Sequence, residues 1–122
     1  MGNMKTHKDL KVWSKSIEIV TSVYKLTKNF PREELYGITS QIRRSAVSIP
    51  SNIAEGAARS SVKGFKNFLS IALGSASELE TQIIISNNLN YIKPEDKDII
   101  LSELTEIRKM IHGLQKSLKT NS

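Results

Sequence analysis

The sequence predicts an all-α protein, an antiparallel up-down-up-down four-helix bundle whose second helix is kinked at Pro50. Apolar residues recur at three- and four-residue spacing over long stretches, the period of a helix face. Prolines are few, three in all, and the alternating apolar pattern of a strand is scarce. At 122 residues the chain suits one domain with a modest core. The expected bundle spans residues 9–119, after a flexible leader of residues 1–8 and before a tail of residues 120–122.

The first helix should begin at Asp9, a good N-cap, and run to about Lys28. Its main stripe reads Leu10, Trp13, Ile17, Val20, Tyr24. A second stripe, Val12, Ile19, Val23, Leu26, lies roughly 100° around the wheel. The turn "NFPREE" follows, with Pro31 ending the helix.

The second helix should start near Arg32 to Glu34 and carry Leu35, Ile38, Ile42, Ala46, Ile49 and Ile53. That spacing continues in phase across Pro50. An internal proline removes a hydrogen bond and costs about 3 kcal/mol or more. A kinked helix is expected, with Ser48 and Ser51 satisfying the freed carbonyls. The alternative is a true break and a short new helix from Ser51.

"GAARSS" ends that element, and the third helix should run from about Ser61 to Leu89. Its core stripe is Phe65, Phe68, Leu69, Ala72, Ala76, Leu79, Ile83, and Gly74 is expected to allow close helix approach. Leu73 and Ile84 fall to one side of this stripe, Ile71, Ile85 and Leu89 to the other. "NYIKPED" makes the last turn, with Pro94 suited to a first helical position. The fourth helix repeats Ile100, Leu104, Ile107, Ile111, Leu114, Leu118 as an a/d seam.

A monomeric bundle needs one apolar stripe per helix, and this chain has more. Excess apolar surface marks an interface. An obligate homo-oligomer is expected, with Val12, Ile19, Val23, Tyr36, Val47, Leu73, Ile84 and Ile85 at the contact between copies.

Composition narrows the chemistry. With no cysteine, disulfides and thiolate catalysis are out, which fits a reducing, cytoplasmic setting. No membrane segment is expected, and "MGNMKT" matches a myristoylation pattern only formally. A di-iron site needs Glu-x-x-His on facing helices, and neither His7 nor His112 follows a glutamate by three. Glu78 and Glu80 point to different sides. Glu103 and Glu106 share a face without a base beside them. No phosphate-cradling glycine loop or zinc spacing occurs. No enzyme, cofactor or metal is expected.

The net charge of +6 is uneven. Residues 1–68 hold twelve Lys/Arg against five Asp/Glu, and residues 69–122 hold six against seven. Candidate phosphate contacts are Arg43, Arg44, Arg59, Lys63 and Lys66, with Lys11 and Lys15 in a row begun by Lys8. The competing reading is a set of solvated charges, some paired with Glu18, Glu33, Glu34 or Glu55. Trp13, Phe65 and Phe68 fall on core stripes, so base stacking on single strands has little support.

"ELYGITSQIRRSAVSIPSNIAEG" (Glu34 to Gly56), with "DLKVWSKSIEIVTSVYKLTKNFP" before it and "FKNFLSIALGSASELETQIIIS" after it, resembles a bacterial family. These are the four-helix-bundle proteins first named from reading frames in 23S rRNA intervening sequences, also labelled ribosomal protein S23-like. The resemblance runs from about Asp9 to Ser117. It implies a bundle able to form a ring-like homopentamer. The chain is also similar to the accessory variability protein of diversity-generating retroelements, a basic pentamer that partners a reverse transcriptase and binds nucleic acid. The motif residues carried over are Gln41, Arg43, Arg44, Ser48, Pro50, Asn52, Glu55 and Gly56. One departure is that Ser61 is followed three places later by Gly64, where the family often has an acid completing a capping box, so a less sharp helix start is expected. From these features a non-specific, oligomeric RNA-binding bundle is expected. The alternative is a scaffold docking a protein partner such as a reverse transcriptase.

Overall fold

In the computed structural model, which describes residues 6–118, four helices follow one another with short links. They are α1 (Lys11–Thr27), α2 (Ile38–Ala57), α3 (Val62–Asn88) and α4 (Pro94–Ser117). Each packs on its neighbours in the cycle α1–α2–α3–α4–α1, and α2 with α3 is the most extensive pair. This is the expected all-α bundle. The tail of residues 120–122 and the "MGNMK" part of the leader lie outside the described residues.

The core is a single cluster. Ile42, Ala46, Ile49 and Ile53 of α2 meet Leu69, Ala72, Ala76, Leu79 and Ile83 of α3, and Leu104, Ile107 and Ile111 of α4 close it. The α4 seam is buried as its spacing predicts, Leu118 included, except that Leu114 is half-buried against the core. α3 is, among the described residues, long and apolar enough to cross a membrane, but Phe65, Leu69, Ala72, Ala76, Leu79 and Ile83 of its stripe are packed inside the bundle. Phe68, expected in the core, is instead half-buried beneath Arg59.

α1 corrects the expectation. Its buried face is Val12, Ser16, Ile19, Val23 and Thr27, whereas Leu10, Trp13 and Val20 are half-buried and Ile17 and Tyr24 exposed. The stripe assigned to subunit contacts is therefore the core stripe. It was hard to read because two of its members are hydroxyl residues. Both are satisfied locally: Ser16 Oγ donates to the Trp13 carbonyl at 2.8 Å and Thr27 Oγ1 to that of Val23 at 2.8 Å.

The helix starts also move. Asp9 ends a 3-10 turn, His7–Asp9, and Leu10 is the N-cap of α1. His7 packs edge-on against Trp13, ring centroids 5.0 Å apart, so this part of the expected leader belongs to the fold. Arg32–Glu34 form a second 3-10 turn, and α2 begins only after Gly37. Leu35, lying before the helix, is consequently 45% exposed rather than core.

α2 runs unbroken through Pro50, which is buried, so the alternative of two helices is out. The serines act differently from the expectation. Ser75 Oγ donates to the Ile71 carbonyl, so it accepts from Ser48 Oγ at 2.8 Å. Asn52 Nδ2 donates to the Ser48 carbonyl and hydroxyl, each at 2.8 Å. Ser48 thereby ties α2 to α3. Neither it nor the exposed Ser51 reaches the carbonyl that Pro50 frees, among the bonds of the described residues.

Two glycines exchange roles. A Cβ on Gly74 would meet nothing within 4 Å, so Gly74 mediates no close approach. A Cβ on Gly56 would lie 2.8 Å from Phe68 Cβ and 3.0 Å from Phe65 Cδ1. That contact sits at the α2–α3 turn, where backbone and ring meet. α3 then starts cleanly after all: Ser61 Oγ accepts from the Gly64 N–H at 3.0 Å, which needs no acid at the third position.

Gly56→Ala should destabilise the fold by about 1–3 kcal/mol through overpacking. Gly74→Ala should stabilise it by about 0.5–1 kcal/mol through helix propensity. Paired chemical denaturation curves check both, and equal effects of the two variants would contradict this packing.

Candidate nucleic-acid interface

The antiparallel order brings the N-terminus of α1, the α2–α3 turn and the C-terminus of α4 to one end of the bundle. Gln115 Nε2 of α4 donates to Ser70 Oγ at 3.0 Å and to the Lys66 carbonyl at 3.3 Å, fixing α4 beside the start of α3. His7 shares a surface cleft with Pro50, Ser51 and Ala54, placing the start of α1 beside the end of α2. This end therefore collects Lys8, Lys11, Arg59, Lys63, Lys66 and Lys116.

Its compensating acids are few. Arg59 pairs with Glu55 at 2.9 Å and lies over the Phe68 ring, 4.7 Å from its centroid. The five lysines have no carboxylate in ion-pair range among the described residues. Neither α1 nor α3 carries an acid in its first turn, whereas α4, starting at the far end, has Glu95 and Asp96 there. Carboxylates are the usual complement of a helix start, and the first turns of α1 and α3 have none.

The predicted cations thus divide. Lys11, Arg59, Lys63 and Lys66 come together. Lys15 lies a turn further along α1 and is held by Glu106 at 3.1 Å. Arg43 and Arg44 sit about 20 Å away along α2, on its rise of about 1.5 Å per residue. Arg43 is turned inward: its Nε donates to Thr27 Oγ1 at 2.9 Å and its guanidinium covers Tyr24, 4.6 Å from the ring centroid. Arg44 is exposed and has no ion pair with an acid among the described residues. Lys116 was missed; the signal was available, since a basic last turn of the fourth helix meets the first turn of the third in any such bundle.

The predicted interface residues divide too. Val12, Ile19 and Val23 are in the core, at 4%, 0% and 0% exposure. Leu73 is half-buried against it. Tyr36, Val47, Ile84 and Ile85 are exposed, with Tyr36 at 93%. Leu89 is exposed one turn from Ile85, and Ile71 is exposed on the same α2 side about 20 Å back along α3. Ile84 lies on its α4 side, near Glu80, which accepts a hydrogen bond from Arg108 at 2.6 Å. His112 is exposed as expected, and no cluster of three metal-ligating side chains occurs among the described residues.

Sequence spacing gave no hint of a contact at the far end. Glu34 Oε2 accepts from Tyr91 Oη at 2.9 Å, across 57 positions, and Tyr91 packs against Phe30. Its other oxygen caps α2 weakly through the Ile38 N–H at 3.5 Å. The hydrogen bond to Glu34, then burial, then the charges of Glu34 and Glu33 hold the Tyr91 phenol above its ordinary 10.0.

The molecule is, in class, an all-α bundle with a cationic end. Residues 8–113 match the model of the family described as 23S rRNA-intervening sequence protein, and the chain belongs to that family. It is similar to a solved protein of unknown function from the S23 ribosomal protein family of Bacteroides thetaiotaomicron. The two are 32% identical, the match covers 87% of this chain and 99% of that one, and the TM-score is 0.78. No curated protein matches the chain. The family's description names no reaction.

A folded-state phenol held above 10.0 stabilises the protein fully below that pH and loses the contribution as pH rises through the raised value. The melting temperature should therefore fall as pH rises above 10, and fall less in Glu34→Gln. Parallel slopes for the two proteins would show that the contact has no such role.

Proposed function

We propose that this protein is a non-catalytic, self-associating bundle that binds RNA through its phosphate backbone, without sequence preference, at the lysine-bearing end. The observation that carries this reading is the convergence of Lys8, Lys11, Lys63, Lys66 and Lys116, without carboxylate partners among the described residues. Like charges so placed repel one another, and a polyanion relieves that repulsion while releasing its own counterions. Lysine suits this task because its ammonium acts as a mobile point charge rather than a fixed fork.

Self-association is supported by the exposed apolar residues on both flanks of α3, Ile71, Ile85 and Leu89 on one and Ile84 on the other. Two different apolar edges on one helix favour a heterologous contact, which makes a ring where its rotation closes. The family resemblance points to five copies, each presenting the same basic end. Multiple copies raise avidity for one long strand.

The double variant Lys63→Glu/Lys66→Glu should lower affinity for a labelled single-stranded RNA by about 10-fold or more, whereas Lys93→Glu at the opposite end should change it about 2-fold or less. Fluorescence anisotropy at low salt measures both, and equal losses would contradict the assignment of the binding end. Sedimentation should give a particle several times heavier than the 13.7 kDa chain. A monomer at micromolar concentration would end the self-association reading.

A further inference from the structure

At the end of the bundle away from the five lysines, two surface cavities adjoin between α1, the α1–α2 connection and α2. One, of about 450 Å³, is walled by Tyr24, Leu35, Tyr36 and Val47, with Arg44 at its edge. The other, of about 280 Å³, is lined by Thr27, Lys28, Arg32 and Thr39. Leu35 and Arg43 belong to both. The first cavity is aromatic and open, the second cationic.

We propose that the paired cavities bind a nucleoside monophosphate unit, its base on Tyr36 and its phosphate among Arg43, Arg32 and Lys28. Three features lead there. Tyr36, 93% exposed, shares the first cavity with the exposed Tyr24, Leu35 and Val47, a contiguous apolar patch of the kind that marks a binding site. Lys28, Arg32 and Arg43 line the second cavity and no carboxylate does, so the site holds uncompensated positive charge. Within the same lining, Thr39 is 3% exposed and its hydroxyl has no hydrogen-bond partner.

Arg43 joins the two halves. Its Nε is committed to Thr27 Oγ1, and the Tyr24 ring supports its face. The two terminal nitrogens of the fork make no bond among the described residues, and a dianionic phosphate accepts such a pair bidentately. A flat base is the complement of an exposed tyrosine, because every base has a face to stack. The inference stands apart from the proposed RNA-binding end, which uses other residues. It also reassigns Tyr36 and Val47, expected between subunits, to the walls of a ligand site.

The same unit occurs as a free nucleotide and as the 5′-terminal residue of an RNA strand. Calorimetric titration of the full chain with AMP, adenosine, and a short single-stranded RNA bearing either a 5′-phosphate or a 5′-hydroxyl separates these sources. Binding of AMP, with adenosine at least about 10-fold weaker, would assign the free nucleotide. Preference for the 5′-phosphorylated strand, without measurable AMP binding, would assign the strand end.

In either case Tyr36→Ala should weaken the ligand about 5- to 100-fold. Arg32→Gln should weaken the phosphorylated ligands and leave adenosine unchanged. Both side chains are exposed, so neither variant threatens folding. In the Lys63→Glu/Lys66→Glu background the preference for the 5′-phosphate should persist, which keeps this test separate from that of the lysine end. Failure of all four probes to bind, or wild-type affinity in both single variants, would overturn the proposal. So would a Tyr36→Ala protein whose assembly changes while its ligand affinity does not.

Discussion

The close approach of α2 to α3 at Gly56 governs much of this structure. With Phe65 and Phe68 against that backbone, the turn after α2 has little freedom. Further along the same pair, the Ser48–Ser75 hydrogen bond and its Asn52 support fix the two helices at a second height. Between these points the buried isoleucines of α2 fill against α3, and the cyclic order of the remaining helices follows. The geometry has a consequence for charge. Phe68, displaced outward, becomes the platform on which Arg59 lies, and Lys63 and Lys66 emerge at the end the turn defines.

Much of the fold could be read from periodicity. Ile100, Leu104, Ile107 and Ile111 of the α4 seam and Ile42, Ile49 and Ile53 of α2 are buried as their spacing demands, and Pro50 does not divide α2. What could not be read shares a cause. Ser16 and Thr27 occupy core positions of α1 because a helix can satisfy a buried hydroxyl with its own carbonyl, so polarity at those sites concealed the true core face. Gly74 looked like a close-packing residue because small neighbours surround it, yet Ser75, one place on, makes the contact with α2. The Glu34–Tyr91 bond joins two loops and leaves no periodic trace.

The candidate site was legible in composition and illegible in arrangement. Counting charges located the cations in residues 1–68, but Lys116 joins them only because the chain comes back on itself. Arg43 and Arg44, adjacent in sequence and read as one feature, face different surroundings: the first is held by Thr27 and Tyr24, the second is open. Tyr36 looked like an interface residue by its place in an amphipathic pattern. The 3-10 turn and late start of α2 leave it outside the helix altogether.

Two kinds of cationic surface result, and their physics differs. Lysines on an end face interact with a polyanion at long range and without orientation. Arginines fixed in a walled cleft select by shape and by the direction of their hydrogen bonds. On the proposed reading, a chain with both has the means to hold a strand loosely and one nucleotide firmly.

The central claim is that unneutralised lysines at one end draw in a phosphate backbone. RNA affinity measured from about 50 to 300 mM salt tests it most directly. Three to five phosphates neutralised on a single strand predict that the logarithm of the association constant falls against the logarithm of salt with a slope of about −2 to −3.5. A slope near zero, or no binding at the lowest salt, would contradict it.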